Sequence, residues 1–71
     1  MYRYPIIIEK SRKNYSAYSP DLPGCVATGA TLKETLSRMR RAIKFHLEGL
    51  KKEGSEIIQP STKVKYLEIS I

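Results

Sequence analysis

Thr31-Leu32-Lys33-Glu34, followed by Leu36, Met39, Ile43, Leu47 and Leu50, is the stretch that decides the fold. Threonine with glutamate three residues later reads as a capping box. The hydroxyl accepts from the amide of the third helical residue, and the carboxylate reaches back to the cap amide. A helix is therefore expected to start at Leu32. The apolar positions from Leu32 to Leu50 recur at spacings of three and four, which draws one stripe along the helix, and Gly54 suits its end. A helix with a single apolar stripe must lie on another apolar surface, and the flanking sequence supplies one.

Upstream, Tyr2 to Glu9 is aromatic and β-branched, as a packed strand requires. Lys10 to Asn14 is a polar turn, and Tyr15 to Ser19 is a second β-favouring segment. In Leu22-Pro23-Gly24-Cys25, proline sets a fixed φ and glycine admits a positive one, the requirement of a type II turn. Cys25 to Thr28 leaves room for a short third strand. Downstream, Leu67, Ile69 and Ile71 alternate with Glu68 and Ser70, the pattern of a half-buried strand. The expected architecture is α+β in the order β-β-β-α-β. Its one long helix covers one sheet face, while Ile7 opposes Ile6 and Ile8 and leaves apolar surface on the other. A partner or a second copy is expected to cover that face, with Ile7 and Tyr66 as candidate oligomer-face residues.

A chain of 71 residues fits one domain, spanning 1–71. Its core is small, and the single Cys25 excludes an intrachain disulfide, so a homodimer or higher homo-oligomer is the expected source of additional stability. Only Arg3 precedes the short apolar run Ile6 to Ile8, too little for a signal peptide or membrane span. A cytoplasmic protein without membrane association is expected.

The residues point away from catalysis. Cys25 and His46 are the one conceivable nucleophile and base pair, and a cysteine that opens a strand behind a turn glycine is ordinary packing. Two such residues cannot furnish a structural zinc site. The carboxylates Glu9, Asp21, Glu34, Glu48, Glu53, Glu56 and Glu68 are scattered, unlike a two-metal hydrolase set, and Gly24 to Gly29 lacks the spacing of a phosphate loop. No catalytic residue, metal or cofactor is expected. The net charge is +6, and seven of the cations, Lys33, Arg38, Arg40, Arg41, Lys44, Lys51 and Lys52, fall on the helix. They form either a solvated face or a surface for an acidic partner such as nucleic acid. Phe45 projects on this polar side as a further contact.

The run Tyr15-Ser16-Ala17-Tyr18-Ser19-Pro20-Asp21-Leu22-Pro23-Gly24-Cys25, then Gly29-x-Thr31-x-x-Glu34-Thr35, resembles the HicB family of prokaryotic antitoxins, over roughly residues 2 to 50. The resemblance implies a partial ribonuclease-H-like sheet without nuclease carboxylates. It also implies binding to a HicA-type toxin, a small messenger-RNA-cleaving ribonuclease whose active site the antitoxin covers. Tyr18, Asp21, Leu22 and Phe45 are the candidate partner-binding residues. Many members carry a C-terminal DNA-binding domain, and none is expected within this sequence. The alternative, favoured by the helix charge, is an orphan basic domain that binds RNA, DNA or another regulatory partner.

Overall fold

The computed structural model describes residues 2–71. Three strands, β1 (Ile7–Lys10), β2 (Tyr15–Tyr18) and β3 (Val26–Gly29), precede one helix, α1 (Leu32–Lys52). The sheet is an antiparallel meander in the order β1-β2-β3. Strand β1 is shorter than the sequence suggests, because Tyr2 to Ile6 lies ahead of the first hydrogen-bonded residue. In the β1–β2 turn, the Ser11 amide donates to the Asn14 carbonyl at 2.9 Å. Lys10 and Tyr15 are cross-strand partners at this end, and the Lys10 ammonium lies 5.6 Å from the centre of the Tyr15 ring, a cation–π contact that helps close the hairpin.

The loop after β2 is built as its residues demand. The Cys25 amide donates to the Leu22 carbonyl at 3.1 Å and Gly24 has φ of 88°, which is the type II corner. Leu22 and Cys25 both point inward and form the core with Ala17 and Met39; Tyr4, Ile6, Ala27, Ile43 and Leu47 pack around it.

Helix α1 starts at Leu32, with Thr31 as its cap. The Thr31 hydroxyl accepts from the Glu34 amide at 3.1 Å, but Glu34 reaches one residue further back than a capping box expects, to the Ala30 amide at 3.2 Å. The Thr35 hydroxyl donates to the Thr31 carbonyl at 2.8 Å, and Thr35 itself is fully buried. Gly29 makes room for it: a β-carbon there would stand 2.7 Å from Thr35 Oγ1. The seated line is thus Thr35, Met39, Ile43 and Leu47, whereas Leu32 and Leu36 remain exposed on its flank. The helix ends at Glu53, followed by Gly54 with φ of 75°.

One expected element does not form. Residues 55–71 carry no helix or strand, and Tyr66, Leu67, Ile69 and Ile71 are each at least 74% exposed. The order within this chain is β-β-β-α. The alternation at the end of the sequence is real, but the segment has no neighbouring strand to complete its backbone hydrogen bonds.

Candidate functional site

Strand alternation sorts the sheet into two faces. Inward parity carries Ile6 and Ile8, Ala17, and Cys25 and Ala27. Outward parity carries Ile7 and Glu9, Ser16 and Tyr18, and Val26 and Thr28. The register sets Ile7 opposite Tyr18 and Tyr18 opposite Val26, so these three residues form one apolar row across the outer face. No element of the chain lies over it: Tyr18 is 42% and Val26 64% exposed, and Ile7 is half-buried. Beside this row runs a polar one, with Glu9 opposite Ser16 and Ser16 opposite Thr28. Aromatic and β-branched neighbours at cross-strand positions support one another, so the row stabilises the sheet while leaving apolar surface exposed.

The structure separates the other candidates from this face. Leu22 has no exposed area; its side chain packs the core and is not presented to a partner. Asp21 is engaged within the chain. Its Oδ1 accepts from the Ser61 amide and hydroxyl, both at 3.0 Å, and from the Thr62 amide and hydroxyl, both at 3.1 Å. These donors, the Ser61 amide foremost, hold its carboxyl below the usual carboxylate range against an opposing push from burial. Asp21 therefore clamps the segment after the helix, a role its sequence neighbourhood gives no sign of, because the donors lie forty residues away. Nearby, the Tyr4 hydroxyl donates to the Ile58 carbonyl. Burial, then Tyr2 and Asp21, push the Tyr4 phenol up. Tyr66 is 93% exposed, so it is not buried against Ile7 within this chain.

Phe45 is 80% exposed on the flank of α1, at the rim of a shallow groove shared with Gly24, Cys25 and His46. Cys25 and His46 thus lie near one another, but no hydrogen bond joins them, and burial pushes the Cys25 thiol up, away from thiolate chemistry. Among the described residues, no group of three or more His, Cys, Asp and Glu side chains is placed to hold a metal ion. No described helix is long and apolar enough to cross a membrane.

The helix cations form a separate surface. Lys33, Arg40, Lys44 and Lys51 follow one another at helical spacings and project along one side. Arg38 is held, donating to the Thr28 carbonyl at 2.9 Å and pairing with Glu34 at 3.2 Å. That is the one ion pair among the described residues; Glu48 and Lys52, spaced as a helical pair, are not joined.

The family model described as HicB_like antitoxin of bacterial toxin-antitoxin system matches residues 4–69. A 14.9 kDa protein from the rep-hol intergenic region of Haemophilus phage HP1 is 38% identical over 64 residues, which is 90% of this chain and 48% of that protein. The chain thus spans about half the length of that relative. A UPF0150 protein of Thermoplasma acidophilum is 39% identical over 56 residues, covering 78% of this chain and 81% of that protein. Among solved structures, a chain of a HicA3 and HicB3 toxin-antitoxin complex superposes with a TM-score of 0.68 at 32% identity, over 84% of this chain and 70% of that one.

Proposed function

The chain belongs to the HicB-like antitoxin family of bacterial toxin-antitoxin systems, and from that premise we propose that it binds a HicA-type toxin and silences it by occlusion, without catalysis of its own. The observation that carries the reading is the uncovered row Ile7, Tyr18 and Val26 on the outer sheet face. An apolar strip with a polar border is how a protein–protein interface is built, with a dry centre and a wet rim. The charge distribution agrees. Of the thirteen Lys and Arg in the chain, seven lie on the helix, which packs on the opposite side of the sheet. A basic, RNA-handling toxin meeting the outer face encounters Glu9, Ser16 and Thr28 beside the apolar row, and the helix cations that would repel it face away.

Tyr18→Asp together with Val26→Asp tests this directly. Both residues are exposed, so the fold should hold, at a melting temperature lowered by the lost cross-strand pair and the two like charges set opposite one another; compared where dichroism shows the variant folded, toxin binding should weaken by roughly 2 kcal/mol or more, the usual scale for aromatic anchors. A double variant that binds and inhibits the toxin as the wild type does would remove this face from the account.

The unpaired stripe Lys33, Arg40, Lys44 and Lys51 supports a second reading, in which the helix contacts nucleic acid. Salt separates the two. Phosphate contacts lose affinity steeply as ionic strength rises, whereas a packed apolar interface changes little.

A further inference from the structure

The place where a fourth strand would lie is open in this chain, and the segment that reads as a strand is exposed. Helix α1 lies across β2 and β3 and does not approach the backbone of β1. Strand β1 has β2 on one side and no strand on the other. Between its leading residues and the helix runs a mainly apolar groove of about 470 Å³, lined by Tyr4, Ile6, Leu36 and Met39 among others, with Arg40 and Lys44 also on its wall. Leu32 and Leu36, the two stripe residues without a seat, are each 42% exposed on this flank.

The complementary piece is the segment 64–71. Leu67 is 84%, Ile69 74% and Ile71 fully exposed, and an extended chain brings these three onto one face. The chain is held to its own domain as far as Thr62, by the Asp21 clamp and the Tyr4 to Ile58 bond, and the apolar residues beyond that anchor stay exposed. An unpaired edge and an unpaired, alternating strand in the same molecule are the two halves of a strand exchange.

We propose that residues 64–71 of one copy add to the β1 edge of a second copy, and the reverse, so that Leu67, Ile69 and Ile71 fill the partner's groove against α1. The exchange is isologous, because each copy gives a strand and receives one. It completes a four-stranded sheet in each protomer and covers Leu36 and Ile8. Val64 and Tyr66, of opposite parity, then fall on the outer face beside Ile7, extending the apolar row described above and leaving it open to a toxin.

The test is sedimentation equilibrium over a wide concentration range, without any toxin, on the wild type and on Leu67→Lys/Ile69→Lys, paired with hydrogen exchange at the β1 amides. Because the substituted side chains are mostly exposed in their own domain, the variant should keep its far-UV dichroism. The wild type should be dimeric, with β1 protection that grows with concentration. The variant should raise the dimer dissociation constant about 100-fold or more, since an added ammonium entering the groove would meet only apolar side chains and the like charges of Arg40 and Lys44. A wild type that is monomeric throughout, or a dimer that both substitutions leave intact, would overturn the exchange. Concentration-independent protection of β1 that the variant abolishes would overturn it too, since it would mean that the tail closes on its own sheet. None of these outcomes bears on toxin binding, so the antitoxin reading stands or falls separately.

Discussion

Replacing Gly29 by alanine should cost more than any other one-carbon change in the chain. A β-carbon at this position stands 2.7 Å from Thr35 Oγ1, 3.0 Å from the Thr35 amide nitrogen and 3.2 Å from Glu34 Oε1. Ordinary carbon contacts are about 3.5 Å or longer, so something must move by several tenths of an ångström. Thr35 is fully buried and its hydroxyl is tied to the Thr31 carbonyl, so the side chain cannot swing aside without abandoning that bond. The second obstacle is backbone, which means the first turn of α1 must shift away from β3. Overpacking of this kind costs about 1–3 kcal/mol. Because Gly29 does not have positive φ, the loss of unfolded-state freedom on adding a methyl returns about 0.4–1 kcal/mol. A net loss of about 1–2 kcal/mol remains, which for a domain of this size lowers Tm by about 4–15 °C. Gly49→Ala is the internal control: it lies within α1 with nothing inside 4 Å of a new β-carbon, and it should stabilise by about 1 kcal/mol. Thermal and urea unfolding followed by far-UV dichroism measures both. An unchanged or raised Tm for Gly29→Ala would refute the seating of the helix start on this glycine.

Gly24→Val should destabilise by about 1–2 kcal/mol although its surroundings are open, because the left-handed backbone alone opposes a branched side chain; urea unfolding gives the value. Met39→Ala empties the centre of the core, where Met39 is 1% exposed, and should cost about 2–5 kcal/mol, enough to leave much of the protein unfolded by dichroism. The Asp21 clamp depends on pH. Its folded carboxyl lies below its usual range, so its contribution is complete above the unfolded pKa of about 4 and is lost as pH falls through the lower folded value. Protection factors at Ser61 and Thr62, taken against the intrinsic exchange rate at each pH, should fall in that acidic window, and Asp21→Asn should lower them already at neutral pH. Purified chain should cleave no RNA with magnesium or manganese; cleavage that follows the protein through successive columns would contradict the non-catalytic reading.

The parts of the fold written in local chemistry were legible before any coordinates. The capping threonine, the Leu22 to Cys25 corner and the three strands depend on residues within a few positions of one another. The helix stripe was legible in period and displaced in phase: Leu32 and Leu36 continue the apolar spacing, but Gly29 admits the small Thr35 instead, and the seat goes to the residue that fits. The candidate site shows the same division. Ile7 was legible as opposing Ile6 and Ile8 along its strand, whereas Tyr18 and Val26 join it in one row only once the β1–β2 and β2–β3 registers are known. The placement of Leu22 and Asp21 was not legible, for a common reason. Both belong to a polar, proline-rich loop that reads as surface, while the turn folds Leu22 inward and residues 61–62 come from afar to occupy Asp21. The last strand has the alternation of a strand but no partner within its own chain, and partner availability is not a property of local sequence.

The most direct measurement is a titration of a HicA-type toxin with this chain while messenger RNA cleavage is followed. The account predicts that cleavage falls in proportion to added protein and ends at a fixed stoichiometry, that the endpoint holds at elevated salt, and that Tyr18→Asp/Val26→Asp forfeits the effect. Undiminished cleavage at large molar excess of folded wild-type chain would contradict it.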